Sequence, residues 1–492
     1  MATTSEETLI FTREHPEYHK NKKLWERLRL AYSGGKEYIE EALIRHLSEL
    51  ELEFDERKTR AYYFNYVRRV PNRITEFILS DPPVRKDATK EIVEDFDRFG
   101  NRVDYVMRQW EIKTLLYGLS WLLVDSPAIE TDENGVPLKK NIADKKNEKL
   151  RPYGLPLEPL CVPDWDFGQD GGLEWAIIES QSVESASPFT EPVQVKTRTL
   201  WTREYWKTYT QKVGSDVSTA IEVGEQVPHE LGRVPLVMRL KVDTTGMGAT
   251  HFMADVLRIS DAILNNESEC QINIVKQVFG LLVVPESFKE QQQDLNSQSG
   301  TPSVQKGETW GRALSRSFAV SENGEDEKGI TRYISPPANI VEGIEKDSAR
   351  LKKELFDVIG LAIRTETAQR ESADAKAWDN QAASAFLKSE ADSMEEAETK
   401  AWELFNLWDK SIAIPKVSYN RDYNIQDFKT NLMAITEIMS LEVGDKFQKR
   451  IMKTALNILD KIEKISLQEK EEIVSEIEAL TLGSPVTLGS ED

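Results

Sequence analysis

With 492 residues, 39% of them hydrophobic and 30% charged, the chain has the composition of an ordinary soluble protein with room for about two to four domains and a sizeable core. A net charge of -21, with only short basic groups such as Arg68-Arg69, Lys139-Lys140 and Lys145-Lys146, excludes the long basic block that tight phosphate binding draws on. Two cysteines, Cys161 and Cys270, exclude a disulfide framework and a structural zinc site, and with a polar start and no apolar run near the roughly 18 residues that cross a bilayer, the expectation is a protein made and kept in a cytoplasm.

In chain order, helical periodicity predicts helices over 22–32, 36–47, 58–79 and 90–117. Strands follow at 119–125, 173–182, 194–202, 205–212, 219–223 and 236–241, with 131–156 a charged loop containing glycine and proline. The stretch Pro163-Asp164-Trp165-Asp166-Phe167-Gly168-Gln169-Asp170 mixes acids, aromatics and glycines. It is expected to be a loop and turn leading into the strand at 173; a sugar cleft with paired carboxylates is the competing reading. A calcium loop lacks its glutamate at the twelfth position. At 201–209 aromatics alternate with polar residues, the pattern of a strand with one buried face, against which stands an aromatic platform for single-stranded nucleic acid.

The region 255–408 is the most informative. Val256, Ile259, Ile263, Leu264, Ile272 and Val275 form the stripe of a long helix, interrupted by the polar run Asn265-Asn266-Glu267-Ser268-Glu269. Leu281-Leu282-Val283-Val284-Pro285 is β-prone, 291–303 has the composition of an exposed loop, and a second β-prone run lies at 329–334. Pro336-Pro337 starts a second helix carried by Ile344, Leu351, Leu355, Val358 and Ile359. After a polar hinge, a third helix runs over 381–408 on Ala383, Phe386, Leu387, Met394, Ala401 and Phe405. In one continuous chain this is a helical hairpin with a protrusion at one end and a loop at the other, the plan of a ring-forming conduit rather than an enzyme cleft. A short strand at 415–420 is expected to return to the N-terminal domain, and amphipathic helices over 428–441, 446–462 and 467–480 make a small cap before a tail rich in Gly, Ser and Pro.

This order of elements resembles the portal proteins of tailed bacteriophages. Local stretches are similar to that family too: HKNKKLWERLRLAY after Tyr18, RRVPNRITEFILSDPPV at 68–84, LLYGLSWLLVD at 115–125 and HELGRVPLV at 229–237. The resemblance implies an α+β fold with a mixed α/β wing over 1–250, stem helices at 251–279 and 338–360, a small α/β clip at 280–337 and a tunnel loop at 361–380. It continues with a long helix and return strand to the wing at 381–424, a helical crown at 425–480 and a mobile tail at 481–492. It also implies a homo-oligomeric ring of about twelve copies at one capsid vertex. Such a ring is assembled in the host cytoplasm, becomes part of the virion, and passes double-stranded DNA during packaging and ejection. The implied partners are the large terminase, a head-completion adaptor, and the major capsid and scaffolding proteins, with no membrane, cofactor or metal. Within that reading Arg364, Arg370 and Lys376 on the polar hinge are the candidates to face DNA, and Trp310, an isolated aromatic in a polar loop, is the candidate partner contact of the clip.

The charge is compatible with a low-friction conduit, since an acidic lumen would not hold a sliding backbone, but excess acid equally keeps any surface solvated. Catalytic signatures point away from an enzyme. Gly34-Gly35-Lys36-Glu37 lacks the spacing and the hydroxyl of a P-loop, and His229-Glu230 has no second histidine four residues on. His15 and His19 are four apart, but Pro16 makes a helix start there the more natural reading than a metal pair. Two alternatives stand beside the conduit. One is a soluble carboxylate-dependent hydrolase centred on Asp164, Asp166 and Asp170; the other is a non-portal structural adaptor that assembles through the same long helices.

Overall fold

A computed structural model describes residues 6–127, 151–185, 189, 191–212, 221–241, 252–278, 281–285, 318–321, 332–334, 337, 339–359, 373–421, 423, 445–462 and 467–479. The architecture is α+β, and the contacts divide the chain into the units Met1–Tyr423 and Asn424–Asp492.

The first unit opens with α1 (Glu6–Thr12) and α2 (Pro16–Ser33). His15 caps α2, its ring nitrogen accepting from the Glu17 backbone N–H at 3.2 Å, and Pro16 takes the first helical position, where its missing N–H costs nothing. Tyr18, Trp25, Leu28 and Ala31 bury one face of α2. Next come α3 (Lys36–Ala42), α4 (Glu51–Arg60) and α5 (Tyr66–Ile78). The helix predicted over 58–79 is therefore two: the chain extends after Arg60 and restarts at Asn65, whose side chain accepts from the Arg68 N–H at 2.8 Å. After β1 (Val84–Lys86), the helix predicted over 90–117 is likewise split into α6 (Lys90–Glu94) and α7 (Val103–Tyr117). Between them the buried Asp97 carboxylate accepts from the backbone of Phe99 and Asn101, and Arg98 and Gly100 adopt positive φ. Local side-chain capture of backbone N–H groups here outcompetes helix.

Gly118, left-handed with φ 75°, ends α7 and turns the chain into β2 (Leu119–Asp125). Next are β3 (Tyr153–Leu157), β4 (Asp164–Phe167), β5 (Leu173–Glu184), β6 (Val193–Thr202), β7 (Tyr205–Lys212), β8 (Ile221–Val223), β9 (Val227–Pro228) and β10 (Leu236–Leu240). β2 is central in the sheet β10-β2-β3, with Trp121 opposite Met238 on one side and Leu157 on the other. The end of the predicted loop 131–156 is thus strand, held by its partner. β4 likewise replaces the predicted loop and heads the sheet β4-β5-β6-β7-β8. Trp201 is buried, with Trp206 and His229 tilted against it, so these aromatics are spent on packing.

The chain then forms α8 (Phe252–Val278), β11 (Leu281–Pro285), β12 (Phe318–Ser321), β13 (Arg332–Ile334), α9 (Asn339–Ile359), α10 (Ala373–Trp408) and β14 (Lys416–Ser418). β11 is central in a three-stranded sheet, parallel to β12 and antiparallel to β13. That antiparallel pairing, Leu281 opposite Ile334, brings the chain back so that α9 packs along α8. The third helix, predicted from 381, already begins at Ala373. β14 pairs with β1, Arg85 opposite Val417, and ties the end of this region to its start. The main core joins Trp25 of α2, Ile74 of α5, Trp110 of α7, Trp121 of β2, Leu257 of α8, and Trp402 and Phe405 of α10, all buried.

The second unit contains α11 (Asp445–Ile462) and α12 (Leu467–Ala479), joined by a Lys453–Glu478 ion pair at 2.6 Å, with Ile451, Leu456 and Ile477 buried. The helix predicted over 428–441, the loop 291–303 and the tail 481–492 lie outside the described residues.

Candidate functional site

The polar run that interrupts the apolar stripe of α8 is a set of fasteners. Asp261, Asn265 and Ser268, spaced four and three apart, share one face of the helix. Asp261 accepts from Arg27 Nη2 at 2.7 Å and from the Tyr38 hydroxyl. Asn265 accepts from the Ile44 N–H at 2.9 Å and donates to the Ala42 carbonyl at 3.1 Å; Ser268 accepts from Arg57 Nη1 at 3.0 Å. Burial, then the neighbouring Tyr63 and Asp261, push the Tyr38 phenol far above its usual range, so it remains a donor. Adjacent residues tie α8 to α9: Asn266 donates to Asp347 at 2.8 Å, and Glu267 pairs with Lys352 at 3.2 Å. Polar residues in the middle of a long helix thus fix it to α2, α3, α4 and α9 at once.

Helix α10 is moored by buried acids. Glu390 and Glu398, both fully buried, stand eight residues apart on its inner side. Glu398 accepts from both Nε and Nη2 of Arg85 on β1, from Trp402 Nε1 at 3.0 Å and from the Tyr419 hydroxyl at 2.6 Å. Arg85 reaches Asp104 as well, at 2.6 Å. Glu390 meets Arg239 of β10 at 3.4 Å and Lys241 at 3.9 Å. Arg239 also pairs with Glu111 of α7, itself fully buried. Lys241 lies against the rings of Phe252 and Phe386, at 4.7 and 5.1 Å from their centroids. Burial on this scale demands compensation, and Arg85, Arg239 and Lys241 facing Glu111, Glu390 and Glu398 supply it.

Of the residues singled out in the sequence, Arg364, Arg370 and Trp310 lie outside the described residues. Lys376 falls in the first turn of α10. The acidic stretch is divided among separate duties. Asp164 is buried against Arg13 at 2.8 Å, Asp166 is exposed and accepts from the Phe167 N–H, and Asp170 holds Arg203 through two bonds at 2.8 and 2.6 Å. Arg203 holds the Asp170 carboxyl below its usual range, and Glu174 meets the same guanidinium. Asp170 and Glu174 thus share one guanidinium beside the turn between β4 and β5. His15 stacks on Trp165 at 4.1 Å while His19 faces Glu14, so the two histidines are committed to different neighbours. Among the described residues no group of three or more His, Cys, Asp or Glu side chains is placed to hold a metal ion, and no helix is long and apolar enough to cross a membrane.

No family model matches the chain, and no curated protein matches it. The sequence reading missed the buried charges. Glu111 had a visible signal, an acid inside the otherwise apolar run Trp110 to Tyr117 broken only by Lys113 and Thr114. Glu390 and Glu398 had none, because α10 carries acids on every side.

Proposed function

We propose that this chain is a portal-type protein. It forms a closed ring at one capsid vertex, through which double-stranded DNA is packaged and ejected and on which terminase and then head-completion proteins dock. In this reading the N-terminal mixed region is the wing, α8 and α9 are the stem, the β11–β13 sheet belongs to the clip, and α11 and α12 belong to the crown. The observation that carries the reading is the helix, three-stranded sheet, returning helix and long third helix in uninterrupted order, with β14 closing back on β1. A small sheet at the tip of a long helical hairpin is a poor enzyme cleft and a natural docking head. A protomer of this shape closes a ring by heterologous contacts, each copy presenting one surface to the next.

Arg364 and Arg370, with Lys376 at the start of α10, are assigned to the DNA path, and Trp310 to the partner contact of the clip. The first test is particle mass and shape by light scattering and negative-stain microscopy. Rings of about twelve subunits with a central hole are expected, whereas a uniform monomer or dimer at high concentration overturns the proposal. Within intact rings, Arg364→Glu with Arg370→Glu is expected to impair DNA packaging; normal packaging removes their assigned role.

A further inference from the structure

Helix α2 turns a polar face toward the larger sheet. Tyr18, Lys22, Glu26 and Arg29, spaced four, four and three apart, share that face. Opposite stand Glu179 and Gln181 of β5 with their cross-strand neighbours Arg198 and Lys196 of β6, two residues apart on each strand and therefore on one side of the sheet. Together with Leu160 these side chains line a cleft of about 220 Å³.

A helix and a sheet ordinarily meet on apolar side chains. Here both surfaces are polar, and the space left between them would hold about seven waters at about 30 Å³ each. That is below the roughly 300 Å³ at which pockets for drug-sized ligands begin, and suits a compact polar one. The buried members form a fixed floor. Arg198, 3% exposed, donates Nε to Glu179 at 2.8 Å and Nη1 to the carbonyls of Ile10 and Arg13. Tyr18, also buried, donates its hydroxyl to the Leu160 carbonyl at 3.3 Å. Groups held in this way need little reordering to receive a ligand.

The charges of the cleft do not cancel. Lys196 reaches Glu179 at 2.9 Å and Arg198 reaches it at 2.7 Å, so one carboxylate faces two cations. Lys22 is neutralised from outside the cleft by Glu14 at 2.7 Å. Glu26 and Arg29 are exposed at the rim, and among the described residues neither makes a hydrogen bond or ion pair; nor does the side-chain amide of Gln181. Counting Glu14, one positive charge is left over, in a chain of net charge -21. The unused groups are of two kinds. Arg29, Gln181 and Lys196, whose ammonium has three N–H groups and one partner, offer donors; Glu26 offers a carboxylate acceptor.

We propose that this cleft binds one phosphate group in a form that retains a proton. Arg29, Lys196 and Gln181 donate to its oxygens, and its own hydroxyl donates to Glu26. The monoanion matches the single positive charge in excess. Sulfate, which carries no proton near neutral pH, has nothing to donate to Glu26 and meets its charge instead, so a lining of donors with one carboxylate selects phosphate over sulfate. A free phosphate ion and a small phosphate monoester share this chemistry. Either one bridges α2 to the β5–β6 hairpin, and the site stands independently of the ring reading.

The test is isothermal titration of the full chain with sodium phosphate, sodium sulfate and glycerol phosphate, at constant ionic strength and at about pH 6, where the protonated form is abundant. Phosphate is expected to bind once per chain with a Kd of about 1 mM or tighter, and sulfate at least about tenfold more weakly. Arg29→Gln and Lys196→Gln each remove a charged donor and are expected to weaken phosphate at least about tenfold. Arg29 is exposed and Lys196 partly so, and circular dichroism melting checks that both variants are folded. Glu26→Gln is expected to raise the affinity for sulfate and shrink the discrimination, a gain that misfolding does not produce. Tighter binding of glycerol phosphate than of the free ion assigns the site to a monoester, and the reverse assigns it to the ion. No saturable binding of either up to about 10 mM, equal affinity for sulfate in the wild type, or phosphate affinity unchanged in the folded Arg29→Gln and Lys196→Gln variants overturns the proposal.

Discussion

Replacing Arg239 by Met is the most direct probe of how α10 is held. The guanidinium lies between Glu111 and Glu390, with its Nε 3.3 Å from Ser393 Oγ and Nη1 3.4 Å from Thr114 Oγ1. Removing it leaves Glu390 to Lys241 at 3.9 Å, but Glu111 loses the only ion-pair partner it has among the described residues. An uncompensated buried charge costs about 3–5 kcal/mol, so the single variant is expected to lose that much, a drop of about one hundred-fold to several thousand-fold in the folding equilibrium. Replacing both Arg239 and Glu111 by Met removes the stranded charge with its partner. Apolar substitution of a whole pair is close to neutral, so the double variant should be more stable than Arg239→Met alone, with a coupling of about 2 kcal/mol or more. Urea unfolding followed by fluorescence reads this, since Trp110, Trp121 and Trp402 are buried in the same core. Additive effects, or a single variant within about 1 kcal/mol of wild type, would refute the claim that Arg239 compensates the buried Glu111.

Arg57→Ala strips bonds from Glu49, Ile44 and Ser268; a loss of about 2–4 kcal/mol is expected, and faster proteolysis at 43–50 would show that the connection has loosened. His229 provides a pH signature. Burial lowers its pKa from 6.5, and the neutral ring donates Nε2–H to the Thr202 carbonyl while Nδ1 accepts from the Leu231 N–H. Below about pH 6.5 the unfolded chain binds a proton that the folded chain resists, so stability falls as pH drops through that value and down to the folded pKa. Melting temperatures of wild type and His229→Gln across this range should show a shallower acid slope in the variant; parallel slopes would count against the assignment. Gly154→Ala drives a methyl into the ring of the buried Phe96, and a cost of about 1–3 kcal/mol is expected in the same urea assay.

The long elements were legible because periodicity alone determines them. The stripes of α8 and α9 and the third helix from 381 onward follow from which residues are apolar. What escaped was decided by partners far away in the chain. β1 and β3 are short, and each is a strand because another strand lies beside it, whereas β14, expected as a short strand returning to the N-terminal region, is the partner of β1. The breaks at 61–65 and 95–102 arise from side chains capturing nearby backbone N–H groups, which no hydrophobic pattern records. The polar run of α8 read as an interruption because Arg27, Ile44 and Arg57, the groups that satisfy it, are more than two hundred residues away in sequence.

The choice of polar fasteners over further apolar packing has a mechanical consequence. An apolar seam between helices tolerates sliding, because one aliphatic contact replaces another at similar cost. A helix held by Glu390 and Glu398 against Arg239 and Arg85 cannot slide by a turn without stranding four buried charges. The same holds for α8, where a shift would separate Asp261, Asn265 and Ser268 from three different partners. Register is therefore specified at both long helices by groups whose mispairing is expensive, while the apolar core supplies the bulk of the stability. In the proposed ring these helices transmit load between the docking head and the rest of the protomer, and fasteners of this kind let them move as rigid members rather than creep.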